Sequence, residues 1–383
     1  MAIYVVSDLH LDEQSQARLF RDTRQGQTLA DLCARVLRDP DGELVLLGDT
    51  FDLTAMTPPP EGLERFARSL DTPLSPPPRR STQALCAAVR DSNPAAMAAL
   101  EQLSARARVT LLPGNHDRHL GEPGGSEALA SIGLSGMRVQ PFLQRRVGGR
   151  SVLLAHGHLL DPANARPDGG GEVMTNCLHH AVVPFLRKHG ARANVRMNPD
   201  RIVALRPEES VVPVLERWLR EDDFKRFFRA FMTLLADNDY FPRASSWLAR
   251  LVSPERVRRS IEDADRLWER TGRTALSVLD GKRSLPTPGG PGTLPQVQER
   301  PAVLVFGHTH VIDWAVADGE APDNRLYVNL GTWTERAQDA SGPLDTTLPL
   351  LEVREEGGRC VCILGDLAQG ELSELQRFTS QPG

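Results

Sequence analysis

The chain of 383 residues has few cysteines, no long apolar run and no surplus of basic residues. Its five cysteines are odd in number and include no C-x-x-C pair, which favours reduced thiols in a cytoplasmic protein over a disulfide scaffold. No apolar run approaches the ~18 residues of a membrane span, and the first apolar run begins at Ile3. We therefore expect neither a cleaved signal peptide nor a spanning helix. The net charge of −5 and pI near 6.1 offer no basic surplus for general nucleic-acid binding.

The length and the remaining composition are those of a soluble enzyme with more than one structural unit. At 383 residues the chain exceeds the ~250 to 300 residues that a single core serves well. The hydrophobic fraction of 40% is enough for a packed interior, and the charged fraction of 25% is average. We expect a main domain with a second, smaller one.

Five apolar runs, each typical of a buried strand, are followed by residues that bind metals well. The runs are residues 3–6, 44–47, 109–112, 152–155 and 303–306. The groups that follow them are Asp8-Leu9-His10, Gly48-Asp49-Thr50-Phe51-Asp52, Gly114-Asn115-His116-Asp117, His156-Gly157-His158 and Gly307-His308-Thr309-His310. Ligands collect beyond the carboxyl ends of strands in an open α/β sheet, so these groups can meet at one edge. Each group alone is a weak signal, but five in order, each after a strand, predict a metal site with mixed oxygen and imidazole ligands.

The five groups resemble the sequence blocks of the calcineurin-like metallophosphoesterases, whose order is D-x-H, G-D-x-x-D, G-N-H-D/E, H and G-H-x-H. The resemblance covers residues 1 to about 158 and about 302 to 355. It implies an α/β fold, a four-layer αββα sandwich of two mixed β-sheets flanked by helices, with a two-metal centre at one edge.

The resemblance also implies a role for each residue of the blocks. One ion would be bound by Asp8, His10 and His310, and the other by Asn115, His156 and His308, with Asp49 bridging them. His116 would be the acid or electrostatic stabiliser beside the phosphate, oriented by Asp52 and Asp117. Two divalent ions about 3.5 Å apart hold a bridging hydroxide for in-line attack on phosphorus. Manganese is the first expectation, ahead of iron, zinc, nickel, cobalt and magnesium.

The stretch between the fourth and fifth blocks reads as an insertion. We predict a core of residues 1–158 and 302–383, and a mainly helical cap of residues 159–301 between flexible joints at 166–171 and 286–292. Apolar residues at three-four spacing predict helices at 215–235 and, after Ser253-Pro254, at 257–268. Residues 159–302 contain 23 Lys and Arg against 19 Asp and Glu, a surplus suited to a cap over an anionic substrate.

The residues around the last block resemble one branch of this family in particular. Residues 328–335, with the second block and the insertion, look like the UDP-diacylglucosamine pyrophosphatases, which carry a helical, partly basic lid that holds acyl chains. That branch has Arg at the position of His116 and Asp at that of His158. The resemblance implies a lipid-linked pyrophosphate substrate and peripheral contact with the inner face of a membrane. The expected substrate-binding residues are Arg118, His158, Arg256 and Arg259.

Residues 12–38 and 84–106 are predicted as helices between strands. The proline-rich stretch from 58 to 78 is predicted as an irregular, solvent-facing excursion.

Several activities stay open at this point. The blocks serve phosphodiesterases, pyrophosphatases, phosphomonoesterases and protein phosphatases alike, and a nuclease is disfavoured by the lack of a continuous basic stripe. A binding scaffold without chemistry would have no need of all seven ligands together with His116. Metal analysis separates a scaffold from an enzyme, and a substrate panel separates the activities.

Overall fold

The centre of the fold is made of two mixed β-sheets. The computed structural model describes residues 2–13, 19–58, 62–72, 74, 77–161, 164–167, 169–189, 198–205, 210–238, 286–287, 290–293, 301–317, 325–337, 344, 347–368 and 370–380. Its strands are β1 Ala2–Val6, β2 Gly42–Leu46, β3 Val109–Leu111, β4 Arg138–Val139, β5 Leu143–Val147, β6 Arg150–Leu154, β7 Pro286–Thr287, β8 Gly290–Thr293, β9 Val303–Phe306, β10 Ile312–Ala317, β11 Arg325–Leu330, β12 Pro349–Glu356, β13 Arg359–Asp366 and β14 Ser373–Thr379. Seven form one sheet in the order β14-β13-β12-β1-β2-β3-β4, and five form another in the order β10-β11-β9-β6-β5. This arrangement confirms the α/β class with two mixed sheets.

The two sheets pack face to face through alternating residues of their strands. Ile3 and Val5 of β1 lie in one buried cluster with Val152 and Leu154 of β6. Neighbouring residues on a strand point to opposite faces, so Tyr4 and Val6 belong to a second cluster under the helices. The same rule places Cys360 and Cys362, two residues apart on β13, together in the layer between the sheets.

Helices cover the outer face of the seven-stranded sheet. They are α1 Gln27–Arg38, α3 Thr82–Ser92, α4 Pro94–Ser104 and α5 Gly125–Ser131, which all contribute to the second cluster. Helix α2 Leu63–Ser69 packs elsewhere. Two predicted helix bounds were wrong. Among the described residues 12–13 and 19–38, the first helical turn, a π-helical one, begins at Asp22. The stretch 84–106 is two helices, because Pro94 cannot continue a helix but fits the first position of a new one.

The proline-rich excursion is also not what the sequence predicted. It contains α2, whose Leu63 and Phe66 are buried against helices of the insertion. Prolines exclude a helix interior only where they stand, and the residues between them form a helix with an apolar face. That face is not exposed to solvent.

The described part of the insertion is mainly helical, as predicted. Its helices are α6 Gly170–Cys177, α7 Val183–His189, α8 Val211–Trp218 and α9 Glu221–Asp237, with a π-helical turn at 178–182 that joins α6 to α7. The predicted joints differ from the structure. Gly170 and Gly171 form the buried first turn of α6, and the second joint contains the β7–β8 hairpin. The predicted helix at 257–268, with Arg256 and Arg259, lies outside the described residues.

The topology brings the five predicted blocks to one edge. They follow β1, β2 and β3, which are parallel neighbours in one sheet, and β6 and β9, which are parallel neighbours in the other. The carboxyl ends of all five strands therefore meet where the sheets face each other. Among the described residues, no helix is long and apolar enough to cross a bilayer.

Candidate metal centre

The backbone of the candidate ligands is unusual. Seven described non-glycine residues have positive φ, and five of them are candidate ligands: Asp8, His10, Asp49, His308 and His310, with φ between 47° and 72°. Each such conformation costs about 1–3 kcal/mol and persists only where its surroundings enforce it. The loops enforce it partly on each other, because the amides of Asp8 and His10 donate to the carbonyls of Gly48 and Asp49 at 3.1 and 2.9 Å. Strain concentrated on these residues points to a functional site.

The first group of ligands consists of Asp8, His10 and His310. The Nε2 atoms of His10 and His310 lie 3.1 Å apart, and His310 Nε2 is 3.2 Å from Asp8 Oδ1. All three residues are buried. Thr332, which follows β11, donates to the Asp8 carbonyl at 2.8 Å and so supports the left-handed turn there.

The second group consists of Asp49, His156 and His308. His156 Nε2 is 3.1 Å from Asp49 Oδ2, while its Nδ1 donates to the Leu47 carbonyl at 2.8 Å. Asp49 Oδ2 also lies 4.0 Å from His10 Nε2 of the first group. The structure therefore places Asp49 between the two groups, where the family resemblance puts a bridging ligand.

His116 and Asp52 form a hydrogen-bonded pair at the same edge. His116 Nδ1 is 2.8 Å from Asp52 Oδ1, and the other oxygen of Asp52 is 3.3 Å from His10 Nδ1. One carboxylate thus orients a candidate ligand and the candidate acid together. Asp117, predicted to help orient His116, instead accepts from the amides of Thr50 at 2.8 Å and Gly114 at 2.7 Å. Asp117 therefore connects the second and third loops, and Asp52 orients the His116 ring.

The residues present fit a pair of divalent cations. Asn115 Oδ1 is buried with no hydrogen-bond partner within the described structure, while Asp8 Oδ1 and His156 Nε2 are buried with only the close contacts to His310 and Asp49, which are themselves candidate ligands. Leaving a buried polar atom unpaired costs about 1–3 kcal/mol, and a bound cation would satisfy all three. The donor set of carboxylate, amide and imidazole suits first-row transition metals.

The electrostatics of the cluster favour ionised carboxylates. Burial alone would raise the pKa of Asp49, but His156 and His116 hold it well below its usual range. Burial and the Asp49 carboxylate raise the pKa of Asp117 to about 6. Burial alone would lower the pKa of His156, but Asp49 and Asp8 raise it to about 9. The concentrated negative charge is what bound cations would balance.

A family model agrees with this geometry. Residues 1–177 match the calcineurin-like phosphoesterase family. The matched range contains the first four blocks, and the structure brings the fifth, with His308 and His310, beside the first. The match, which covers 177 of the 383 residues, supports the family that the motifs resemble. No curated protein matches the chain significantly.

Several solved structures match the chain at low similarity. One is a predicted phosphoesterase from Streptococcus pneumoniae, with 10% identity, 99% of this chain and 95% of that chain covered, and a TM-score of 0.32. Another is Vps29 with zinc from Entamoeba histolytica, with 9% identity, 99% of both chains covered and a TM-score of 0.31. A third is a 5'-nucleotidase precursor from Thermus thermophilus, with 12% identity, 99% of this chain but 54% of that chain covered, and a TM-score of 0.30. At this similarity they carry no argument about activity.

The raised pKa of His156 predicts that metal uptake at this site releases a proton. With a pKa of about 9, His156 is protonated at pH 8 before metal binds, whereas only the neutral ring can be a ligand. Affinity should therefore rise by about tenfold per pH unit below that pKa and level off above it. Calorimetric titration with Mn²⁺ at pH 8, in two buffers of different ionisation enthalpy, counts the protons released. A count of zero would show that His156 is already neutral.

Comparing Gly48→Ala with Gly358→Ala separates the cost of steric crowding from the cost of backbone strain. Gly48 has φ +83°, and a Cβ there would lie 2.4 Å from Cγ of His156. Gly358 has a similar φ of +77° but nothing within 4 Å of its Cβ position. Both alanine variants lose about 1–2 kcal/mol to left-handed strain, and Gly48→Ala loses several more, together with metal affinity, because it displaces a ligand. Urea unfolding of both variants measures the difference, and equal losses would contradict it.

Of the four predicted substrate-binding residues, the structure describes Arg118 and His158. Arg118 forms an ion pair with Glu172 in the first turn of α6. The rings of His158 and His156 lie 5.4 Å apart, and the pKa of His158 is held well below its usual range by burial and by His156 and His308. Arg256 and Arg259 lie outside the described residues. Substrate binding by all four remains a prediction.

Several residues that serve the site were missed from the sequence. Asp161 contacts His308, Asn164 contacts Asn115, and Glu172 pairs with Arg118. Asp161 and Asn164 come three and six residues after His158, so their closeness to the fourth block was the only signal. Isolated polar residues after a block look the same as surface positions until the chain is folded.

Proposed function

We propose that the protein is a dimetal-dependent phosphohydrolase that cleaves a phosphodiester or pyrophosphate bond. One observation carries this proposal: candidate ligands from four strand ends meet in two groups, with Asp49 of the second group close to His10 of the first and the His116–Asp52 pair beside them. A fold kept only for binding would not need both the buried, unsatisfied ligand atoms and a positioned imidazole.

The chain's own residues have distinct parts in this proposal. Asp8, His10 and His310 would hold one ion, and Asn115, His156 and His308 the other, with Asp49 shared. When bound, the ions would neutralise phosphate oxygens and activate a water for in-line attack. That attack forms one P–O bond and breaks the bond to the leaving oxygen. His116 Nδ1 is held by Asp52, so Nε2 is the atom that would stabilise or protonate the leaving oxygen.

The more specific proposal is a lipid-linked nucleotide pyrophosphate of the UDP-diacylglucosamine type. The motif at 328–335 and the positive surplus of residues 159–302 support it. Contacts of the insertion with the core support a cap near the site. His180 Nε2 donates a hydrogen bond to the carbonyl of Ala55, three residues after Asp52, at 2.9 Å. Glu172 pairs with Arg118, two residues after His116. We propose residues 159–301 as a cap that binds the part of the substrate remote from phosphorus.

A substrate panel tests the reaction class. Turnover of p-nitrophenyl phosphate, bis-p-nitrophenyl phosphate and a detergent-dispersed acylated UDP-sugar is compared with Mn²⁺ present. The proposal expects the diester or the pyrophosphate to exceed the monoester in kcat/KM. A preference for the monoester would make the protein a phosphomonoesterase, and no turnover with two ions bound would favour a scaffold.

We predict that a deletion within the insertion will affect hydrolysis of acylated substrates but not of small ones. Residues 239–285 are replaced by a glycine-serine linker, while α6 to α9 are kept, because they bury Leu63 and Phe66 of α2. Hydrolysis of the chromogenic ester should be largely unchanged. Hydrolysis of the acylated substrate should fall by ~10² or more, because each buried methylene contributes about 0.8 kcal/mol.

The control for this deletion is the metal content, which should stay at that of the full chain. Equal losses for both substrates with the metals still bound would show that the deleted segment supports structure and does not recognise lipid.

A further inference from the structure

A small polar network joins two ligands of the second candidate ion to the start of the insertion. His308 Nε2 lies 3.0 Å from Asp161 Oδ2, and Asn164 Nδ2 donates to the same oxygen at 2.7 Å. Asn115 Nδ2 donates in turn to Asn164 Oδ1 at 3.3 Å. Asn115 and His308, nearly two hundred positions apart in the chain, are thereby connected through one turn.

The direction of each hydrogen bond decides which ligand atom is left for an ion. Asn164 Oδ1 can only accept, so Asn115 must present its amide nitrogen to Asn164. Its Oδ1 then points away, and that atom is buried without a hydrogen-bond partner in the described structure. Asp161 Oδ2 accepts from Nε2 of His308, which leaves Nδ1 for the ion. A carboxylate behind a ligating histidine fixes its tautomer and ring orientation in many metal sites.

The turn that carries this network is held from both sides. The amides of Asn164 and Ala165 donate to the Asp161 carbonyl at 3.0 and 2.8 Å. Helix α6 packs against it so closely that a Cβ on Gly171 would lie 1.9 Å from Asn164 Oδ1. The insertion therefore helps to place Asn164, although none of the seven predicted ligands belongs to it.

We propose that Asp161 and Asn164 are positioning residues for the second ion, and that they set its affinity by orienting His308 and Asn115. This inference rests on the proposed dimetal function. It assigns the first turn of the insertion to the metal centre, and it makes the affinity of one ion depend on how α6 is seated.

The test is calorimetric titration of the metal-free full chain with Mn²⁺, with elemental analysis of the loaded protein. Asp161→Ala and Asn164→Ala should each weaken one ion by ~10- to 100-fold and leave the other close to its wild-type affinity. Asp161→Asn retains an acceptor for His308 and should lose less than Asp161→Ala. The double variant should lose little more than the worse single variant, because both act through one network.

Glu122→Gln is the matched control. It removes a carboxylate that pairs with His119 Nδ1 at 3.1 Å, an exposed pair of the same type near the third block. Both ions should bind this variant as they bind the wild type. Thermal unfolding in EDTA should also be the same for the wild type and for the Asp161 variants, because Asp161 is about a third exposed, at 37% of its side chain.

Gly171→Ala tests the proposal without touching a polar group. Alanine is a better helix former than glycine, so α6 itself is not weakened, but the added Cβ must displace Asn164. The affinity for the second ion should fall, and the metal-free protein should lose less stability than Gly48→Ala, because only the end of the Asn164 side chain must move.

The outcomes are distinguishable. A wild type that binds fewer than two ions under metal excess overturns the proposed function. A wild type that binds two, with variants that bind both equally well, overturns only the positioning inference. Equal weakening of both ions in every variant also overturns it, because it would show general damage to the site.

Discussion

Replacing Asp49 by asparagine is expected to lower the occupancy of both metal ions together and to reduce kcat by ~10³ or more. Asp49 Oδ2 lies 3.1 Å from Nε2 of His156 in one group and 4.0 Å from Nε2 of His10 in the other. Asparagine has nearly the same size but no charge, so it cannot balance two cations at once. The loss of either ion's affinity should exceed the ~10- to 100-fold typical of residues that only support a ligand.

Elemental analysis and Mn²⁺ titration measure this effect, and Asp22→Asn is the matched control. The Asp22 carboxylate accepts from the amides of Ala95 and Ala96 at 2.9 and 3.0 Å and so caps α4. That variant loses a structural carboxylate and should keep both ions. If Asp49→Asn loses one ion and binds the other normally, Asp49 belongs to a single site. If the wild type binds one ion under metal excess, the dimetal assignment itself is wrong.

Replacing His116 by glutamine or alanine is expected to leave both ions bound and to slow turnover by ~10² or more. The His116 ring contacts His10 edge to face, with centroids 4.7 Å apart, and is fixed by Asp52 at 2.8 Å. It thus stands beside the ligands while belonging to neither predicted ligand set. A group that acts mainly in the transition state changes kcat more than metal affinity.

The leaving group distinguishes the two roles left open for His116. If it protonates the leaving oxygen, the loss should be larger for an alkyl ester than for a p-nitrophenyl ester, whose leaving group departs without a proton. Equal losses indicate electrostatic stabilisation. His119→Gln is the control, because His119 is exposed and paired with Glu122. Unchanged kcat in His116→Gln, with normal metal content, would exclude His116 from the reaction.

Short apolar runs made most of the core predictable. The runs before Asp8, Asp49, Asn115, His156 and His308 are short, strongly apolar and ended by polar or glycine residues, so each could only be a buried strand with its ligands just beyond it. The helix bounds were less predictable. The break at Pro94 and the helix at Leu63–Ser69 depend on capping and on partners far away in the chain.

By itself, the sequence determined the fold class, the five strand ends and the seven candidate ligands with His116. The spacing of the ligands within each loop involves only neighbouring residues, so it can be read directly from the sequence. Only the tertiary structure decided that Asp49 lies between two groups, that Asp52 serves both His10 and His116, and that Asp161 and Asn164 stand behind His308 and Asn115. Those relations join residues from different strands and from the insertion. Single polar residues carry no pattern of their own, so their partners are set only when the two sheets pack and α6 is seated against the site.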